Sequence, residues 1–200
     1  MRAFRPDQTG NCPRSAQCRA HFLHRGLQVA ASAIGLLLAA VPWAHADPPI
    51  DPLQPFPDMR RIAAWYTEAN PQDFFLPDRP GVWFLTPTGL TCAIWTWGSF
   101  GCTGDIPGAP PGDDHIAWFN GNRAVHHGWT AAIQFPAGQA NKPLPVRSYV
   151  RYESTSCAII TDGNTYCEHG EFKLLLTPGG TYFKGWDDRR SYACLSYGSC

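Results

Sequence analysis

The sequence predicts a mainly β protein: two related, disulfide-stapled β-meanders in one domain, with one short N-terminal helix packed against them. The strongest observation behind this is a segment that occurs twice. Cys92-Ala93-Ile94-Trp95-Thr96-Trp97-Gly98-Ser99-Phe100-Gly101-Cys102 returns as Cys157-Ala158-Ile159-Ile160-Thr161-Asp162-Gly163-Asn164-Thr165-Tyr166-Cys167. Short apolar runs broken by Gly, Pro and Asn turns dominate the chain from Val82 onward, which is a strand signature. Helical periodicity is confined to one convincing stretch.

In chain order, residues 1–46 read as an export signal. Five arginines lie between Arg2 and Arg25, the uncharged run Leu27 to Val41 follows, and Ala44-His45-Ala46 offers the small-x-small pattern of a cleavage site. The run is too short for a spanning helix, which needs about 20 apolar residues, so no membrane span is expected in the mature chain. The basic region is long and leaves room for a translation start downstream of Met1. Cleavage near Ala46 would leave 154 of the 200 residues. Removing five arginines and Asp7 from 16 basic and 16 acidic residues leaves 11 and 15, a formal −4. That balance lacks the basic stripe on which nucleic-acid binding depends.

Residues 47–57 hold five prolines in eleven positions and predict an extended lead-in. A single domain is expected over 58–200. Asp58 is the expected N-cap of a helix over Met59–Ala69, with Ile62, Trp65, Tyr66 and Ala69 on one face and Asn70-Pro71 ending it. Val82–Leu85, a Thr86-Pro87-Thr88-Gly89 turn and the first cysteine segment make one meander. Ser148–Tyr152, a Glu153-Ser154-Thr155 turn and the second segment make the other. Ile116–Phe119 and Ala124–Trp129 flank Asn120-Gly121-Asn122 as a hairpin, and Phe172–Leu176 and Thr181–Lys184 flank a Thr177–Gly180 turn.

Within each repeat, setting the cysteines opposite one another gives the register 92/102, 93/101, 94/100 and 95/99. Thr96-Trp97-Gly98 is left as a three-residue loop, with glycine at the left-handed third position. Such facing, non-hydrogen-bonded pairs lie roughly 4.5 Å apart at Cα, within disulfide reach. Pairing across the repeats is the alternative. Six cysteines remain after the leader, an even number that suits an exported disulfide framework. The expected bridges are Cys92–Cys102, Cys157–Cys167 and Cys194–Cys200.

Candidate chemistry is sparse. Trp97 stands where the second copy has Asp162, so it has no apolar counterpart and reads as a contact residue at a hairpin tip, with Ser99 and Phe100 beside it. His126-His127 with His115 or Asp113-Asp114 is a conceivable metal set, but adjacent strand residues point to opposite faces; no metal ligand is assigned. Glu168, His169 and Glu171 with Ser154, Ser156 or Ser196 make a nominal hydrolase set without a G-x-S-x-G elbow. No catalytic residue is assigned, and no cofactor fingerprint occurs.

Phe84-Leu85-Thr86-Pro87-Thr88-Gly89-Leu90-Thr91-Cys92, continuing to Cys102, resembles a group of small secreted actinobacterial proteins, mycobacterial ones included. The group has an aromatic, a Thr/Ser-Pro-Thr/Ser-Gly turn, a cysteine strand and a second cysteine about ten residues on. Leu90 stands where it commonly has asparagine. The resemblance implies an exported, envelope-associated or extracellular protein and carries over no catalytic residue. The expectation is therefore a non-enzymatic module that binds a protein, glycan or lipid through aromatic loop tips. A secreted hydrolase using His169 or His126, or a purely structural envelope protein, are the alternatives.

Overall fold

The computed structural model describes residues 55–186 and 193–195. The expected leader, most of the proline-rich lead-in and Cys200 lie outside the described residues. Helix α1 (Met59–Trp65) and strand β1 (Thr67–Ala69) come first. Five strands follow: β2 (Val82–Leu85), β3 (Thr91–Trp95), β4 (Ser99–Thr103), β5 (His115–Trp118) and β6 (His126–His127). After the short helix α2 (Trp129–Ala132) come β7 (Ser148–Tyr152), β8 (Thr155–Ile159), β9 (Thr165–His169), β10 (Phe172–Thr177), β11 (Gly180–Lys184) and β12 (Ala193–Leu195). β2 to β6 form one sheet in chain order, and β1 with β7 to β12 form the other, so each repeat sits in its own antiparallel meander. The predicted fold class is the observed one.

The strands alternate, and both of their faces are covered. Phe84, Cys92, Ile94, Phe100, Cys102 and Ile116 from the first sheet share a core with Val150, Cys157, Ile159, Cys167, Leu174 and Leu176 from the second. The opposite face of the second sheet, Tyr149, Ala158, Tyr166 and Leu175, is packed by Met59, Ile62 and Tyr66 of the helical segment. The opposite face of the first, Trp83, Ala93, Trp95 and Ala117, lies under Ala131, Phe135 and Ala140. Burial on two sides explains why β3 and β8 read as continuous apolar runs rather than a clean in–out alternation.

Both cysteine pairs close as expected. Cys92 faces Cys102 and Cys157 faces Cys167 across their hairpins, with Cα separations of 4.0 and 4.1 Å. Both bridges lie in the core shared by the sheets. Cys194 is also disulfide-bonded.

The helix is shorter than its pattern suggests. Asp58 does cap it, accepting from the Arg60 N–H at 2.9 Å, but Trp65 is its last residue. The open edge of β7 takes over there: Thr67 N–H donates to Arg147 O at 3.1 Å, and β1 runs parallel to β7. Trp65 is consequently exposed, while Ile62 and Tyr66 carry the packing. Asn70 caps a 3-10 turn at Pro71–Phe74 that seats Phe74 in the core. The second expected hairpin forms, but its return strand is only His126–His127, and Trp129 begins α2 instead of ending a strand.

The two repeat tips are seated reciprocally. A Cβ placed on Gly98 would collide with the Glu153 carbonyl in the β7–β8 turn. At the opposite end, a Cβ on Gly163 would come within 3.7 Å of Pro87 in the β2–β3 turn. Each repeat's tip thus rests on the other repeat's first turn, as an internal pseudo-twofold requires.

Candidate functional site

The tips differ in their turns as well as in their residues. In the second repeat Gly163 N–H donates to Ile160 O at 2.8 Å and Gly163 alone is left-handed, at φ 76°. That is the expected type I turn closed by glycine. In the first repeat Trp97 and Gly98 are both left-handed, at φ 57° and 77°, and the Ser99 N–H returns to Thr96 O. This is a type I′ turn with a bulge, because Trp95 and Thr96 together oppose Ser99. The position Trp97 holds normally goes to Asn, Asp or Gly. Its side chain is 72% exposed.

Ser99 and Phe100, expected beside Trp97 as contact residues, are both buried. Ser99 is an internal brace: its hydroxyl donates to Thr96 O at 3.1 Å and accepts from the Asn120 N–H at 3.0 Å. Phe100 points into the inter-sheet core and packs on Trp118, with centroids 5.8 Å apart. Alternation on β4 dictates this, since Phe100 and Cys102 share a face. Neither offers a surface to a partner.

Asn120 links the tip to its surroundings, its Nδ2 donating to Trp97 O at 2.6 Å. A recess of about 400 Å³ opens beside it, lined by Trp118, Asn120, Gly121, Asn122, Arg123, His169, Phe172 and Trp186. Trp118 forms its floor. Its Nε1 donates to Asn122 O at 2.9 Å, and its ring stacks on His169 at 4.8 Å and on Phe172 at 4.3 Å. Trp186 is tied in through its N–H to Arg123 O at 2.6 Å and remains 37% exposed.

His169 is held in one tautomer. Thr155 Oγ1 gives its single proton to Gly98 O at 2.5 Å, so at its 2.8 Å contact with His169 Nδ1 it must accept. Nδ1 therefore carries the hydrogen, and in the neutral ring Nε2 keeps a lone pair. Burial lowers the His169 pKa, favouring that neutral form. This polarity is the reverse of nucleophile activation, in which the hydroxyl would donate to imidazole. Ser156 is engaged with Arg151 Nε at 3.4 Å, and Glu168 with Tyr166 and Lys173 rather than with His169. Ser196 lies outside the described residues.

His115 and His127 pair with aspartates, whereas the His126 ring lies against Phe119 with centroids 6.1 Å apart. His115 Nδ1 meets Asp114 at 2.6 Å and its Nε2 meets Thr103 at 3.2 Å, while His127 Nδ1 meets Asp113 at 3.2 Å. Among the described residues no group of three His, Cys, Asp or Glu side chains converges on one point.

No significant match exists to any family model, curated protein or solved structure. The geometry of this end of the molecule is therefore what bears on function. The exposure of Trp97 at its hairpin tip was legible in the sequence, and the recess was not. Asn120-Gly121-Asn122 reads in the sequence only as a hairpin turn, and Trp186 carries no signal there; the docking of the two sheets brings them to His169 and Phe172.

Proposed function

We propose that this protein is an exported, non-enzymatic module of the extracellular space or cell envelope that binds a partner through Trp97 and the recess beside it. The single observation that carries the reading is the state of Trp97. A bulky side chain in the left-handed region costs on the order of 1 kcal/mol or more, and an indole that is 72% exposed recovers little of that by packing. The second repeat closes the equivalent hairpin with Asp162, without a left-handed residue before its glycine. A tryptophan in that setting is explained by what it touches outside the chain.

Export is supported by the leader-like segment ending at Ala46 and by bridges that need an oxidising compartment. No described helix is long and apolar enough to cross a membrane. The test is Trp97→Ala, assayed for retention on isolated cell envelope and for thermal stability. Retention should fall at least tenfold, while stability changes by less than about 0.5 kcal/mol. Unchanged retention, or a stability loss of several kcal/mol, would refute the proposal.

A further inference from the structure

A second threonine hydroxyl meets an imidazole in this fold, and its polarity is opposite to that at His169. Thr103 on β4 and His115 on β5 face each other in register, and the Gly104 N–H donates to Asp114 O at 2.9 Å. That bond marks 103/115 as a non-hydrogen-bonded pair, the kind that brings facing side chains closest. Thr103 Oγ1 consequently lies 3.2 Å from His115 Nε2, and His115 Nδ1 lies 2.6 Å from Asp114 Oδ1. The hydrogen bond from His115 holds the Asp114 carboxyl below the usual carboxylate range. An ionised carboxylate only accepts, so Nδ1 carries the imidazole hydrogen. In the neutral ring Nε2 then has a lone pair, and Thr103 donates to it. Hydroxyl, base and an acid that orients the base stand in the order of an activated nucleophile.

The surroundings leave this set both steadied and reachable. The Phe135 ring packs against the imidazole with centroids 5.2 Å apart, yet the His115 side chain is 21% exposed. Thr103 is half-buried. A recess of about 650 Å³ adjoins, lined by Gly104 and Asp114, the chain neighbours of Thr103 and His115, and by Ile106, Ala109, Pro110 and Pro111. That volume is within the roughly 300–1,000 Å³ range of small-ligand sites. Its apolar walls suit a short acyl chain, and the carboxylates of Asp105, Asp113 and Asp114 disfavour an anionic one.

We propose that Thr103 is an acyl-acceptor site that takes the acyl group of a neutral ester, with His115 as general base and Asp114 as the positioning residue. Thr103 Oγ attacks the ester carbonyl carbon while its proton passes to His115 Nε2. Collapse of the tetrahedral adduct breaks the bond to the leaving alkoxide, which takes that proton from Nε2 and departs as the free alcohol. The product is an O-acyl threonine, a covalent modification of this chain. It is separate from partner binding at the Trp97 end and does not depend on it.

The experiment treats the natively processed, oxidised protein with p-nitrophenyl butyrate at neutral pH and follows p-nitrophenol release and peptide masses. Release should show a burst of about one equivalent. A butyryl group should map to Thr103 and be removed by hydroxylamine, as an ester is and a lysine amide is not. Thr103→Val should abolish the burst and Thr103→Ser should keep it. His115→Gln should slow it by about 100-fold or more. Asp114→Asn should slow it at least about tenfold, with most of the rate recovered in Asp114→Glu, which keeps the charge that orients the ring. The anionic p-nitrophenyl hemisuccinate should react more slowly than the butyrate.

Absence of label on Thr103 in the wild type would overturn the proposal whatever the variants do. Label confined to lysine, or a burst unchanged in a folded His115→Gln, would overturn it as well. Release that continues past one equivalent above the Thr103→Val background would replace the acceptor with a hydrolase and retire the non-enzymatic reading with it. Envelope retention that is lost in Trp97→Ala while Thr103 stays unlabelled would leave the binding module standing alone.

Discussion

Trp97 carries an avoidable backbone cost, and that cost is measurable. Asparagine tolerates the left-handed region far better than a bulky side chain does. Trp97→Asn should therefore stabilise the protein by several tenths to about 1 kcal/mol in thermal or denaturant melts, while Trp97→Ala should be nearly neutral. A tryptophan that packs would instead leave both variants less stable than the wild type. At His169 the lowered pKa has a definite sign. The unfolded chain binds a proton near the ordinary imidazole value of about 6.5, and the folded chain binds it only at lower pH because the ring is desolvated. The His169 contribution to stability is thus complete above the unfolded value and is lost as pH falls through the folded one. Melts of wild type and His169→Gln across that window should diverge, with the wild type declining more steeply on acidification. Sequence reading found Trp97 because it could be compared with Asp162. Ser99 and Phe100 are no such contacts, because the strand begins at Ser99 and both faces of its sheet are covered, Phe100 by the inter-sheet core and Ser99 by the Asn120 loop.

At the scale of elements, the repeat's register was legible because cysteine spacing and the turn glycine constrain it from within one hairpin. The end of α1 was not, since it depends on the β7 edge, some eighty residues away in the chain. The I′ turn was hidden for a related reason: local preference argues against tryptophan there, and only the seating of Gly98 over the β7–β8 turn explains its geometry. That seating separates the two tip glycines. Gly98→Ala adds a collision with Glu153 O to a left-handed φ of 77° and should cost more than about 2 kcal/mol. Gly163→Ala meets only ordinary contact and should cost about 1 kcal/mol. Equal losses in chemical denaturation would argue against the close docking of the first tip. The bridges act locally too. Each closes a loop with a sequence separation of 10, so its entropic contribution is about 3 kcal/mol at most, before any cavity left in the core.

For the molecule as a whole, the repeat supplies two equivalent ends, and the chain has made them unequal. One end has Asp162 in an ordinary turn. The other gathers the Trp97 tip, the Asn120–Arg123 loop, the β7–β8 turn, the His169 and Phe172 ends of β9 and β10, and Trp186. Those segments are spread from Trp97 to Trp186, so their convergence follows from stacking two sheets and could not be read from spacing. Exposed tryptophan occurs elsewhere as well: Trp129, on α2, is 75% exposed and lines no part of the recess. It provides the internal comparison. The most direct measurement is the fraction bound to isolated cell envelope for Trp97→Ala, Trp186→Ala and Trp129→Ala, each confirmed as folded by its melting temperature. Loss of binding in the first two with full retention in the third is the predicted result. Equal loss in all three, or retention in Trp97→Ala, would contradict the assignment of function to this end.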